Sequence, residues 1–79
     1  MITDKSIKKK LLKKLGLNIK FYRNKLNISQ ETLALDIGVD RTYISILEQG
    51  VKSPSLYCLY ILAKRLNVRL NDLFDINID

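Results

Sequence analysis

The chain has 79 residues, with 14 Lys or Arg against 8 Asp or Glu, no His, a formal net charge of +6 and a hydrophobic content of 47%. That length bounds it to one small domain over residues 1–79, the apolar fraction supplies a core and excludes wholesale disorder, and the basic balance points to an anionic partner such as nucleic acid or a membrane surface. A single cysteine and no histidine exclude an internal disulfide and a Cys/His zinc site. The N-terminus lacks the unbroken apolar stretch of a secretory signal and no run reaches the roughly 18 to 20 apolar residues of a membrane span, so a cytoplasmic location is expected.

From Ile7 the apolar residues Leu11, Leu15, Ile19, Tyr22 and Leu26 recur at three- and four-residue intervals, a single helical stripe. It predicts one long helix over roughly residues 5–26, in which Gly16 interrupts the pattern as its weakest point, because glycine costs about 1 kcal/mol relative to alanine in a helix interior. Ser29 reads as the N-cap of a second helix with the apolar set Leu33, Ala34 and Ile37, and Gly38 supplies the positive φ of a sharp exit. Asp40 caps a third helix at once, with Ile44 and Leu47 on its inner face, Arg41, Thr42 and Ser45 on the other, and Gly50 as its stop. Two short helices joined by a tight turn are the layout that presents a helix to a DNA major groove, where short or forked polar side chains reach base edges. After Gly50, Ser53 reads as an N-cap and Pro54 as the first residue of a fourth helix to Leu66, with Leu56, Leu59, Leu62, Ala63 and Leu66 as its apolar face and Asn67 as its stop. Leu70, Leu73 and Phe74 suffice for a short fifth helix. No segment alternates polar and apolar residues as a strand would, so the expected fold is all-α, a five-helix bundle around a central helix-turn-helix.

The strings LGLNIKFYRNKLNISQETLA, GVDRTYIS, LEQG, SPSLYCLYILAKRLNV and LNDLF, in this order and spacing from Leu15 to Phe74, resemble the XRE-type helix-turn-helix regulators, which include the phage Cro and repressor DNA-binding domains. Within that family, Asp40 to Ser45 together with the small size resembles the controller proteins of restriction-modification systems. The resemblance implies a lambda-repressor-like fold and assigns base reading to Arg41, Thr42, Ser45 and Ile46. Arginine can donate two parallel bonds to guanine, and threonine offers a hydroxyl together with a methyl for thymine. Ile46 departs from the polar side chain often found there, which limits it to a thymine methyl or to inward packing. Backbone or central contacts fall to Gln30, Tyr43, Gln49 and Lys52; Gln30 stands at a helix N-terminus, where N–H groups favour phosphate. Tyr43 has the alternative of leaning on the first helix. Arg23 and Glu48 correspond to the family's structural ion pair between the first and recognition helices, and a bidentate geometry would set the angle of the latter.

Lys8, Lys9, Lys10, Lys13 and Lys14 leave three readings open: in order of preference, a solvated face with long-range attraction for DNA, direct phosphate contact, and a membrane-surface helix. Residues 1–26 hold nine basic residues against one acid, a local balance of +8, while the last ten residues hold three Asp and no base. The stripe Ile7, Leu11 and Leu15 is then packing, against this chain or a partner subunit. Cys58, inside an apolar helix, is expected to be a small buried hydrophobe rather than a reactive thiol. An apolar surplus of Leu59, Tyr60, Leu70, Leu73, Phe74 and Ile76 predicts a C-terminal homodimer interface, since one short recognition helix covers too few base pairs for selectivity. The function expected is sequence-specific binding of a palindromic double-stranded operator by a homodimer that regulates transcription as a restriction-modification controller, with RNA polymerase as the partner an activator would add. A phage or plasmid repressor and a DNA-binding antitoxin are the alternatives. No nucleophile signature, glycine-rich phosphate loop or metal cluster supports an enzyme, and no cofactor, metal, small-molecule ligand or membrane is expected.

Overall fold

The computed structural model describes residues 4–75, and these form five α-helices: α1 Lys5–Lys25, α2 Gln30–Ile37, α3 Arg41–Glu48, α4 Leu56–Leu66 and α5 Leu70–Leu73. Four helices begin at a short side chain that accepts from an unpaired N–H of the first turn: Asp4 from Ser6 and Ile7, Ser29 from Thr32, Asp40 from Thr42, and Ser55 from Cys58. Their ends are equally uniform. Asn27, Gly38, Gly50 and Asn67 all adopt positive φ, and in each case the next residue's N–H reaches back to a carbonyl of the last turn, as Val39 does to Ala34 at 2.9 Å and Val68 to Ala63 at 3.0 Å.

The N-cap of α4 is Ser55 rather than Ser53, so the helix starts at Leu56 and Pro54 lies in the preceding turn, buried. Ser53-Pro54-Ser55 offers two serines as caps; the later one wins because its Oγ meets the Cys58 N–H at 3.0 Å.

One cluster of buried side chains forms the core, drawn from every helix: Leu15 and Ile19, Leu33 and Ala34, Ile44 and Leu47, Leu59, Leu62, Ala63 and Leu66, and Leu73. The buried face of α1 is rotated from the expected stripe. Leu12, Leu15, Gly16, Ile19 and Arg23 point inward, whereas Ile7, Leu11 and Leu26 are exposed. The face that meets the end of α3 is centred on Leu12 and Gly16: Gly16 lies against the Leu47 and Glu48 carbonyls and Gly50 against the backbone of Leu12 and Lys13, which leaves Ile7 and Leu11 on an outer side. The single long helix that the stripe predicts is continuous through Gly16. The helix runs through it because the missing side chain is used for packing: a Cβ there would fall on the carbonyl oxygens of Leu47 and Glu48.

The C-terminal set divides. Leu59 (6% exposed) and Leu73 (0%) are core residues, which corrects the assignment of these two to a dimer surface; Leu70 is half-buried, and Tyr60 (48%) and Phe74 (45%) are exposed. Ile76 lies outside the described residues. A four-residue helix can bury only the side that meets the bundle, and α5 turns Leu73 inward because Asn18 of α1 pins its end, donating from Nδ2 to the carbonyls of Leu73 at 3.0 Å and Asp75 at 3.2 Å. No helix of the described residues is long and apolar enough to cross a membrane.

Candidate nucleic-acid interface

A helix that reads DNA must be presented at a fixed angle, and the fixing starts at Glu48, the last residue of α3. Its carboxylate accepts from Arg23 Nε at 2.7 Å, Arg23 Nη2 at 3.0 Å and Gln30 Nε2 at 3.0 Å, while Arg23 Nη1 donates to the Ile28 carbonyl at 2.8 Å. One guanidinium thus ties α1, the α1–α2 turn and α3 together, and Gln30 adds the first turn of α2. Arg23 and Glu48 are both buried, so each needs the other to hold its charge, and the Glu48 hydrogen bonds keep the guanidinium protonated with its pKa above the ordinary arginine value. Gln30, assigned to a phosphate by the resemblance, is half-buried and donates one of its two side-chain amide N–H groups to Glu48. That bond completes the network and leaves the second N–H for another acceptor.

At the other end of α3 the exposed groups gather. Arg41 and Thr42 are exposed in its first turn, and Arg41 engages no carboxylate among the described residues. Ser45 lies one turn on, half-buried, its Oγ accepting from Gln49 Nε2 at 2.9 Å, which leaves the serine hydroxyl hydrogen free to donate outward. Ile46 is half-buried beside it, and Gln49 and Lys52 are exposed. The structure therefore brings Arg41, Thr42, Ser45 and Gln49 to one side of α3, with Gln30 hydrogen-bonded to the C-terminal end of the same helix.

Tyr43 is half-buried and packs on the core, with its phenol beside the Cys58 thiol of α4 rather than on α1. Burial pushes both the tyrosine and the cysteine upward in pKa, so the Cys58 thiol stays protonated and weakly nucleophilic. A second ion pair, Arg65 Nε to Asp36 Oδ2 at 2.6 Å, joins α4 to the end of α2; being partly exposed, it contributes at most about 1 kcal/mol. The sequence reading missed it, and missed the packing role of Gly16. The second had a visible signal, a glycine inside an otherwise uninterrupted helical pattern.

This geometry has close relatives. The profile of the HTH_3 helix-turn-helix family matches residues 19–73. An uncharacterized HTH-type transcriptional regulator of Archaeoglobus fulgidus is 43% identical over 56 residues, covering 71% of this chain and 79% of that protein. The control protein C.SmaI of Serratia marcescens is 48% identical over 50 residues, covering 63% of this chain and 60% of that protein. Among solved structures, the restriction-modification controller protein C.AhdI of Aeromonas hydrophila is similar with a TM-score of 0.77 at 36% identity, covering 80% of this chain and 96% of the other. With its capped α2-turn-α3 unit, its locked recognition helix and a profile match across most of its length, the chain belongs to the helix-turn-helix family.

Proposed function

We propose that the chain is a sequence-specific DNA-binding transcriptional regulator, acting as a homodimer on a palindromic operator, and that its role is that of a restriction-modification controller in the cytoplasm. The observation that carries the DNA reading is the contrast between the two ends of α3: Glu48 is locked by three hydrogen bonds, while Arg41 and Thr42 stand exposed in the first turn. A rigidly held helix with free forked and hydroxyl donors at its N-terminus is what reading a major groove requires. The controller role draws on the similarity to C.SmaI and C.AhdI. RNA polymerase is the further partner that an activating role would add. The chain acts by binding and performs no catalysis.

Selection of binding sites from a random duplex pool tests this directly. The expected product is a two-fold symmetric sequence with half-site centres roughly 34 Å apart, one helical turn; a pool that yields no enriched sequence would overturn the reading. On the selected duplex, Arg41→Ala and Thr42→Ala should each lose about 1–3 kcal/mol of binding and almost nothing on a scrambled duplex. Equal losses on both duplexes would show that these residues are not readers.

The dimer is best tested at the exposed aromatics. Tyr60→Ser with Phe74→Ser should leave a folded monomer, with a melting temperature that no longer depends on protein concentration, the sedimentation coefficient of a monomer and weakened binding to the full palindrome. Leu73→Ala, in contrast, should cost about 2–5 kcal/mol of stability, because it opens a cavity in the core. If Tyr60 and Phe74 can be removed without altering association, the two-fold contact lies elsewhere.

A further inference from the structure

Helix α1 starts at Lys5, well before the family match at residue 19, and this extra length carries the densest charge of the chain. Lys8, Lys9, Lys10, Lys13 and Lys14 are all exposed, and none is in an ion pair among the described residues. Their placement divides them. Lys8, Lys9 and Lys13 share a groove of about 430 Å³ with Leu12, Gln49, Gly50 and Val51, between the first turns of α1 and the turn that follows α3; Lys10 and Lys14 lie off it. Gly50 holds the two walls together. With φ of +76° and no side chain it sits against the backbone of α1, where a Cβ would stand 2.7 Å from the Lys13 Cα.

The groove also has a defined place relative to the reading end of α3. Eight residues of helix span about 12 Å, close to the roughly 12 Å width of a major groove. With Arg41 among base edges, the C-terminal end of α3 and whatever is docked on it stand about one groove width away, at the level of the phosphates. We propose that this lysine-edged groove seats the sugar-phosphate backbone flanking the base-read half-site, a sequence-independent clamp that lengthens the footprint. The inference rests on the DNA-binding reading above. Three ammonium groups without an ion-pair partner among the described residues, with the Gln49 amide beside them, match the charge of one backbone strand, while Leu12 and Val51 offer apolar surface to its sugars, and each phosphate contact would release condensed counterions.

Two matched double variants test it: Lys9→Gln with Lys13→Gln inside the groove, and Lys10→Gln with Lys14→Gln outside it. Each removes two charges from the same two turns. Affinity is measured against salt on the selected duplex and on a scrambled duplex of equal length. The groove pair should lose affinity on both by a similar factor, on the order of tenfold near 0.15 M salt, with a salt slope shallower by about 1.8 units. The outer pair should show much smaller changes. Trimming the base pairs that flank the half-sites should weaken the wild type and leave the groove pair unaffected.

Equal losses from the two pairs would overturn the proposal in favour of a long-range field, and no loss from either would leave only a solvated face. A lowered melting temperature without lost affinity would mean that the lysines serve the carbonyl end of α3. Capture of the wild type by phosphatidylserine vesicles, without any dependence on duplex flanks, would make the surface a membrane contact. A wild type that binds no duplex fails the DNA reading itself; one that binds the selected duplex, with the two pairs equivalent, fails only this inference.

Discussion

Arg23→Ala will lower the stability of the fold by about 3–5 kcal/mol, the range found when one partner of a buried ion pair is removed. The loss is large because Glu48 remains buried with Gln30 as its single side-chain donor, and the Ile28 carbonyl loses its guanidinium partner as well. For a domain of this size each kcal/mol moves the melting temperature by roughly 4–8 °C, so the drop should exceed about 12 °C. DNA affinity should fall with it, since α3 loses the tie that sets its angle against α1. Arg23→Lys keeps the charge but not the fork and should fall between. Replacing both partners, Arg23→Met with Glu48→Leu, should recover much of the stability, because an apolar pair of similar volume avoids stranding a charge. Thermal unfolding followed by circular dichroism checks the series. An unchanged melting temperature with weakened DNA binding would recast Arg23 as a phosphate contact.

Gly16→Ala carries the second large effect, and its sign distinguishes two views of this glycine. Helix propensity alone predicts a gain of about 1 kcal/mol. The packing predicts a loss, because the new methyl would stand 2.5 Å from the Glu48 carbonyl oxygen and press on that of Leu47 as well. Both obstacles are backbone atoms at the end of α3, in the turn whose side chain is already held by Arg23, so neither helix can yield locally. We expect a net destabilisation of about 2–3 kcal/mol, in the range of an overpacked core, together with weaker binding to the selected duplex as α3 is pushed outward. Gly38→Ala makes a useful contrast: it has open space but a φ of +78°, and should lose about 1–2 kcal/mol to backbone strain alone. A raised melting temperature for Gly16→Ala would refute the close approach of α1 and α3.

What the sequence by itself determined lies within a few residues of chain. Capping serines and aspartates, left-handed glycines and asparagines, and short apolar periods are local devices, and they make the five helices, the α2-turn-α3 unit and the exposed reading end of α3 legible in the sequence. Arg23 and Glu48 were legible only through family resemblance, because nothing in a linear pattern pairs residues 25 positions apart. The tertiary structure decided the rest. Periodicity gives the width of an apolar stripe but not which neighbour covers it, so a stripe through Ile7 and Leu11 predicts packing where the structure leaves both exposed and buries Leu12 instead. The same limit put Leu59 and Leu73 on a surface: an apolar surplus counted along the chain cannot show that α4 and α5 turn those two side chains into the core and leave Tyr60 and Phe74 outside. Gly16 was read as a weak point of α1, and only the approach of a second backbone made it the contact on which the recognition helix rests. The lysine run follows the same logic. Its charge was plain in the sequence, but which lysines border the end of α3 depends on the close packing of Gly50 against Lys13, a contact between residues far apart in the chain.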